Sequence, residues 1–285
     1  EELYEKLPLL GGLMRAITQA DGTLAPHERE LHEELLAYFH AAPSLPIPST
    51  EPPSEMLRIE AAQQLPLPGV SHPVLDPLEH NYAADAASAA SQFASDYALI
   101  FQTITSWEQQ RANGNGRLIG VTSIDQLPPG ACWLDGHVHV MRPAHPTELI
   151  VLGDLHGCYG CLKAALLQSS FLERVTAYRA DPANHPDVKL VLLGDYLDRG
   201  RFGFEGVLRA TLQLQSMFPE HVIILRGNHA YLVRAGEQAA SAVNPAEAVP
   251  AITDRAPPGI LDAYRHLFEH MPTSLIFERT LFVHA

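Results

Sequence analysis

An α/β fold, a β-sheet core flanked by helices with a helical N-terminal extension, is predicted by three features of this 285-residue chain. Three short apolar runs, Leu149-Ile150-Val151-Leu152, Leu190-Val191-Leu192-Leu193 and Val222-Ile223-Ile224-Leu225, lack the alternation of a half-exposed strand and suit a parallel sheet covered on both faces. Helical segments lie between them, from Cys161 to Phe171 and beyond and from Phe204 to Met217, giving β-α-β spacing. Each run ends in a Gly-bracketed polar cluster. Ligands of such sheets bind beyond the carboxyl ends of the strands, so the three clusters are expected on one edge. A further hairpin, Leu275-Ile276-Phe277 and Leu281-Phe282-Val283 around Glu278-Arg279-Thr280, is read as a fourth copy that delivers His284 to that edge.

The remaining elements follow in chain order. Residues 1–42 form a small helical segment: Leu7, Leu10, Met14 and Ile17, then Leu31, Leu35 and Phe39, recur at helical intervals on either side of the Asp21-Gly22 turn. That turn lacks the alternating oxygen ligands and central Gly of a calcium loop. It shares only an Ala-Asp-Gly turn with the small TerB-like helical domains, to which the segment is faintly similar. Residues 43–80, rich in Pro, read as a linker or surface strap. Residues 81–148 hold a helix from about Ala83 to Gln110, stopped by Asn113-Gly114-Asn115-Gly116, and short strands near Leu118–Val121, Cys132–Leu134 and His137–Met141. His137 and His139, two apart on a strand, offer half a metal site, but no third ligand is near and the expectation is a polar strand face. Residues 149–285 form the last domain.

Composition narrows the function classes. With 19 Lys+Arg against 33 Asp+Glu, the net charge of -14 repels a polyanion, so nucleic acid is not an expected partner. No apolar run approaches the ~18 residues that span a bilayer, and Glu1–Lys6 do not resemble the basic start of a signal peptide, so a cytoplasmic protein without membrane partners is expected. Three cysteines, Cys132, Cys158 and Cys161, imply no disulfide framework. Oligomeric state is not legible.

The chemistry resides in the polar clusters. Asp154, His156, Asp195, Asn228 and His284 supply carboxylate, imidazole and amide oxygen, a mixture suited to Mn, Fe or Zn. A carboxylate can bridge two ions ~3.5–4 Å apart, which together hold a water nucleophile and clamp the oxygens of a displacement at phosphorus. Gly153-Asp154-Leu155-His156-Gly157, Gly194-Asp195-Tyr196-Leu197-Asp198-Arg199-Gly200 and Arg226-Gly227-Asn228-His229, in this order and each after a predicted strand, resemble the signature of the phosphoprotein phosphatase family of calcineurin-like metallophosphoesterases, including its bacterial-type serine/threonine phosphatases. The resemblance covers residues 149–285 and implies the calcineurin-like metallophosphoesterase fold. It also implies two divalent metal ions, Mn2+ foremost and Fe or Zn as alternatives. Asp154 and His156 would bind the first, Asp195 would bridge both, and Asn228 and His284 would bind the second. Arg199, with Asn228, would hold the phosphate. His229 would act as general acid, oriented by Asp198, since a carboxylate partner favours a protonated imidazole.

Two departures are visible. The family usually carries Glu where Ala230 stands, and it continues past His284 with another metal-binding His and phosphate-binding Arg, so the sequence reads as a fragment. Arg226 is expected in a structural ion pair, and Cys158-Tyr159-Gly160-Cys161 as ordinary loop and helix residues rather than a redox pair, with a regulatory disulfide as the other reading. The implied activity is hydrolysis of phosphomonoesters, foremost phosphoserine and phosphothreonine in proteins. Alternatives are hydrolysis of dinucleoside polyphosphates or other small phosphoesters, or a non-catalytic phosphatase-like binding module.

Overall fold

The computed structural model describes residues 71–79, 81–200, 202–235, 238–243, 246–253 and 255–284. The predicted N-terminal helices, the Asp21-Gly22 turn and the Pro-rich stretch through residue 70 lie outside them. Among the described residues, 71–118 and 127–284 make one compact unit; Ile119–Gln126 falls outside it and carries a short 3-10 turn, Ile124–Gln126.

The three apolar runs form one all-parallel sheet of β3 (Thr147–Leu152), β4 (Asp187–Leu192) and β5 (Val222–Ile224), in that order. β4 and β5 are buried on both faces, as their uninterrupted apolar runs require, whereas β3, at the edge, is only half-buried and leaves Val151 exposed, a departure from the sequence expectation. Val188, Leu190, Leu192, Val222 and Ile224 point to a helical layer, while Val191 and Ile223 point the other way. The helical layer contains α1 (Ala86–Gly114), α2 (Tyr159–Gln168), α3 (Phe171–Ala180), α4 (Arg209–Met217) and α6 (Ile260–His270). α4 is preceded by one π turn, Gly203–Leu208, closed by Val207 N–H to the Phe202 carbonyl at 2.9 Å. α1 starts at Asp85, whose carboxylate accepts the Ser88 N–H at 2.9 Å, and runs to Gly114, four residues past the expected end. Asp96 of α1, 2% exposed, receives Tyr82 Oη at 2.7 Å, Tyr264 Oη of α6 at 3.3 Å and the Arg209 guanidinium of α4, which ties three helices together.

The fourth strand does not extend this sheet. β8 (Ser274–Phe277) and β9 (Thr280–Val283) form the expected hairpin, but β8 pairs in parallel with β2 (Val138–Arg142), which is antiparallel to β1 (Ala131–Asp135). The resulting sheet, β1-β2-β8-β9, stacks on the parallel one through Met141 and Leu275 on one side and Val191, Ile223 and Leu225 on the other. Burying that second apolar face is what draws the hairpin onto the sheet instead of beside it.

Two local expectations are corrected. Leu118–Val121 is not a strand: Gly116 and Gly120 have positive φ, and the Asp135 carboxylate takes the amides of Gly116 (3.1 Å) and Leu118 (3.0 Å) that a strand partner would otherwise have used. The His137/His139 pair is not a solvated face. His137 Nδ1 meets the Met271 carbonyl at 2.9 Å, and His139 is buried with Nε2 unpartnered among the described residues.

Burial, reinforced by Arg111, pushes the His139 pKa down to about 4. Its folded value thus lies below its unfolded value of about 6.5. The unfolded chain takes up this proton first as pH falls, so stability held above pH ~6.5 declines toward pH ~4, by up to ~3 kcal/mol from this residue. His139→Leu is therefore expected to flatten the pH dependence of urea unfolding between about pH 7 and 4.5; a slope equal to that of the unsubstituted protein would contradict the assignment.

Candidate active site

The loops after β3, β4 and β5 interlock through their backbones. His156 N–H donates to the Asp195 carbonyl at 2.8 Å, Gly157 N–H to the Tyr196 carbonyl at 3.0 Å, and His156 Nδ1 meets the Leu197 carbonyl at 2.7 Å. The third loop joins through His229 N–H, which donates to Asp195 Oδ1 at 3.0 Å. Such close approach explains two glycines. A Cβ on Gly200 would lie 1.8 Å from the His156 carbonyl oxygen, and one on Gly227 would lie 2.2 Å from Asp195 Oδ1 and 2.4 Å from the Asp195 nitrogen. The crowded loops also force side-chain-bearing residues into left-handed backbone: Asp154, His156, Asp195, Asp198 and Arg199 have φ between 41° and 61°. Each such residue costs roughly 1–2 kcal/mol, a strain that persists where surrounding bonds over-determine the conformation.

Asp195, 2% exposed, is the common point of the donors. Its Oδ2 lies 3.5 Å from His156 Nε2, 3.4 Å from His284 Nε2 and 4.0 Å from His229 Nε2. Two groups with donor atoms mutually within 4.8 Å share it: His156, Asp195 and His229, and Asp154, Asp195 and His284. Asp154 Oδ1 also lies 3.7 Å from His156 Nε2. Asn228 Oδ1 sits 3.0 Å from His284 Nε2; turned over, the amide nitrogen would donate to His284 Nε2 at 3.0 Å and to Asp195 Oδ1 and Oδ2 at 3.1 and 2.8 Å. Buried His156 Nε2 has no hydrogen-bond partner among the described residues, although its other nitrogen is fixed by a carbonyl. An imidazole held this way, facing carboxylates with a lone pair unused, fits a divalent cation, as does the mixed N/O donor set. The grouping differs from the sequence expectation in one respect: the Asp154 carboxylate also clusters with His284, and the His229 ring is the third member of the His156 group.

Beside this centre, His229 Nδ1 contacts Asp198 Oδ2 at 2.7 Å, with both residues 2% exposed. That contact leaves Nε2 3.4 Å from Arg199 Nη2 and 4.0 Å from Asp195 Oδ2. Arg199 is exposed. Sequence reading missed the segment that secures this corner. Ala248 N–H donates to Asp198 Oδ1 at 2.8 Å, and Glu247 Oε2 accepts the Arg199 N–H at 3.0 Å, just before α5 (Ala248–Thr253). Some fifty residues of separation and no motif hide these partners. α6 was also missed, although a signal for it was present: Ile260, Ala263, Tyr264, Leu267 and Phe268 recur with helical spacing and are all buried. Among the described residues Arg226 makes no structural ion pair: its Nε donates to the Ala230 carbonyl at 3.2 Å and its guanidinium lies 3.6 Å from the Tyr231 ring centre. Ala230, where the resemblance implies Glu, is buried. Cys158 and Cys161 are disulfide-bonded rather than two free thiols; their Cα atoms, 5.3 Å apart across the first turn of α2, are within bonding reach. Cys132 is free.

Residues 147–285 match the calcineurin-like phosphoesterase family over the whole segment that contains these loops. The chain is also similar to curated relatives. A serine/threonine-protein phosphatase of Caenorhabditis elegans is 35% identical over 79 residues, covering 28% of this chain and 14% of that protein. Serine/threonine-protein phosphatase PP1-delta of Caenorhabditis elegans is 33% identical over 81 residues, covering 28% and 22%, respectively. Serine/threonine-protein phosphatase 2B catalytic subunit A2 of Saccharomyces cerevisiae is 34% identical over 84 residues, covering 30% and 12%. The chain thus spans less than a quarter of the length of each of these relatives. Among solved structures, a serine/threonine phosphatase of Saccharomyces cerevisiae with similarity to human phosphatase PP5 matches at 15% identity and a TM-score of 0.39, covering 65% of this chain and 45% of that one. No described helix is long and apolar enough to cross a membrane.

Gly227→Ala tests the crowding around Asp195. Its methyl group meets backbone as well as carboxylate, so a side-chain rotation cannot absorb it. A loss of ~1–3 kcal/mol in urea unfolding is expected, together with at least ~10-fold weaker Mn2+ binding by metal titration. Wild-type values in both measurements would show that the phosphoesterase loops are looser than described.

Proposed function

We propose that this chain is a metal-dependent phosphomonoesterase whose substrates are phosphoserine and phosphothreonine in proteins. The observation that carries the proposal is the position of Asp195: one buried carboxylate shared by two groups of nitrogen and oxygen donors, directly beside the Asp198–His229–Arg199 corner. The protein-substrate reading is supported by the names of the three relatives, each a serine/threonine-protein phosphatase.

In this reading Asp154, His156, Asp195, Asn228 and His284 hold two divalent ions, Mn2+ foremost. When bound, these ions supply an activated water and positive charge against the phosphoryl oxygens. The chain's own residues do the rest. Arg199 is exposed and its guanidinium fork suits two phosphate oxygens, while the Glu247 contact fixes its backbone. Asp198 holds His229 through Nδ1, which turns Nε2 toward the leaving oxygen as its general acid. Ala248 N–H, on the other Asp198 oxygen, stops that carboxylate from rotating away.

The experiment is Mn2+-dependent release of phosphate from an aryl phosphate, followed by a side-by-side comparison of phosphoserine peptides and a dinucleoside polyphosphate. Asp195→Asn is expected to lower turnover by more than ~100-fold with loss of Mn2+ binding. His229→Gln is expected to lower kcat ~10²–10⁴-fold while Mn2+ still binds. No turnover by the unsubstituted protein in the presence of bound Mn2+ would reject the catalytic reading, and preference for the dinucleotide would move the substrate class.

A further inference from the structure

The Cys158–Cys161 disulfide sits where the first donor loop becomes α2. Cys158 is two residues from His156, and the intervening Gly157 is itself left-handed, with φ 70°. Loop and disulfide share bonds: Cys158 N–H donates to the Leu155 carbonyl at 2.7 Å, and Cys161 N–H meets both the Cys158 carbonyl (3.1 Å) and Cys158 Sγ (3.2 Å). Cys158 is thus the N-cap of α2 and its sulfur takes a first-turn amide. Cys161 is solvent-exposed, so an incoming thiol can reach its sulfur. The turn next to the disulfide lies against the second donor loop, since a Cβ on Gly157 would lie 2.8 Å from the Gly200 carbonyl carbon, so a shift of the turn is felt by both loops.

We infer that Cys158–Cys161 is a thiol–disulfide exchange site that controls metal retention: the disulfide clamps the loop bearing Asp154 and His156, and its reduction by a dithiol loosens the donors. The inference rests on the metal-site reading above. In the exchange, a dithiol's thiolate attacks Cys161 Sγ, the Cys158–Cys161 bond breaks, and Cys158 leaves as the thiolate capped by the helix amide. The second thiol of the dithiol, as thiolate, then attacks the mixed disulfide. The dithiol departs as its own disulfide, and Cys161 is released as a thiolate that takes up a proton. Two electrons pass from the dithiol to the cysteine pair. The nearby donors feel the change because the backbone from His156 to Cys161 is continuous with the cross-linked turn, and a supporting contact of this kind is worth ~10–100-fold in metal affinity.

The full chain is reduced with dithiothreitol, freed of reductant under nitrogen, and compared with the oxidised protein by Mn2+ titration and by mass spectrometry after alkylation. Alkylation at both Cys158 and Cys161 in the reduced sample is expected, with Mn2+ binding at least about tenfold weaker than in the oxidised form. Cys158→Ser/Cys161→Ser should match the reduced form and ignore dithiothreitol, while Cys132→Ser should respond as the unsubstituted protein does. Circular dichroism of the double variant checks that its fold is kept. Equal Mn2+ affinity in the two redox forms, or a pair that resists dithiothreitol in the folded protein, overturns the exchange-control inference alone. Absence of Mn2+ binding in both forms overturns it together with the phosphatase reading.

Discussion

A carboxylate almost sealed from water needs compensation, and around Asp195 that compensation organises three loops at once. Its Oδ1 accepts a main-chain N–H from the loop after β5, its own carbonyl accepts one from the loop after β3, and three imidazoles surround Oδ2. An unpaired buried charge would cost several kcal/mol. The main-chain amide on Oδ1 offsets part of that charge, and the imidazole nitrogens gathered around Oδ2 complete a mixed donor set, so the arrangement combines a structural need with affinity for cations.

Backbone strain is the counterpart of this convergence. Five side-chain-bearing residues in the donor loops adopt left-handed conformations, and four of them are restrained by a contact from a neighbouring loop: the Leu197 carbonyl on His156, the His229 amide on Asp195, the Ala248 amide on Asp198, the Glu247 carboxylate on the Arg199 amide. Removing one restraint releases strain locally, which is why residues that touch no substrate still belong to the chemistry of the site. The burial of the strands behind the loops supplies the rigid base against which this strain is held.

Much of this was legible in the sequence. The parallel strands, their order of helices and the polar residues at their ends could be read because uninterrupted apolar runs and Gly-bracketed clusters are local patterns. The location of the His284 hairpin was not, since Leu275 and Phe282 are equally apolar whether they extend a sheet or cover one; the choice is made by Met141, more than a hundred residues earlier. The partners of Asp198 and Arg199 escaped for the same reason: Glu247 and an alanine amide carry no pattern of their own. Arg226 escaped differently, because a guanidinium announces a need for partners without saying whether a carboxylate, a carbonyl or a ring will meet it.

Because His284 arrives on one sheet and the other donors on a second, the gap they span is set by the thickness of the hydrocarbon between the sheets. Aliphatic bulk at Val191, Ile223 or Leu275 therefore acts as a spacer for a polar centre. In this architecture, methyl groups with no chemistry of their own gauge the opening available to an ion, and drift in an oily interior cannot be separated from drift in ligand geometry.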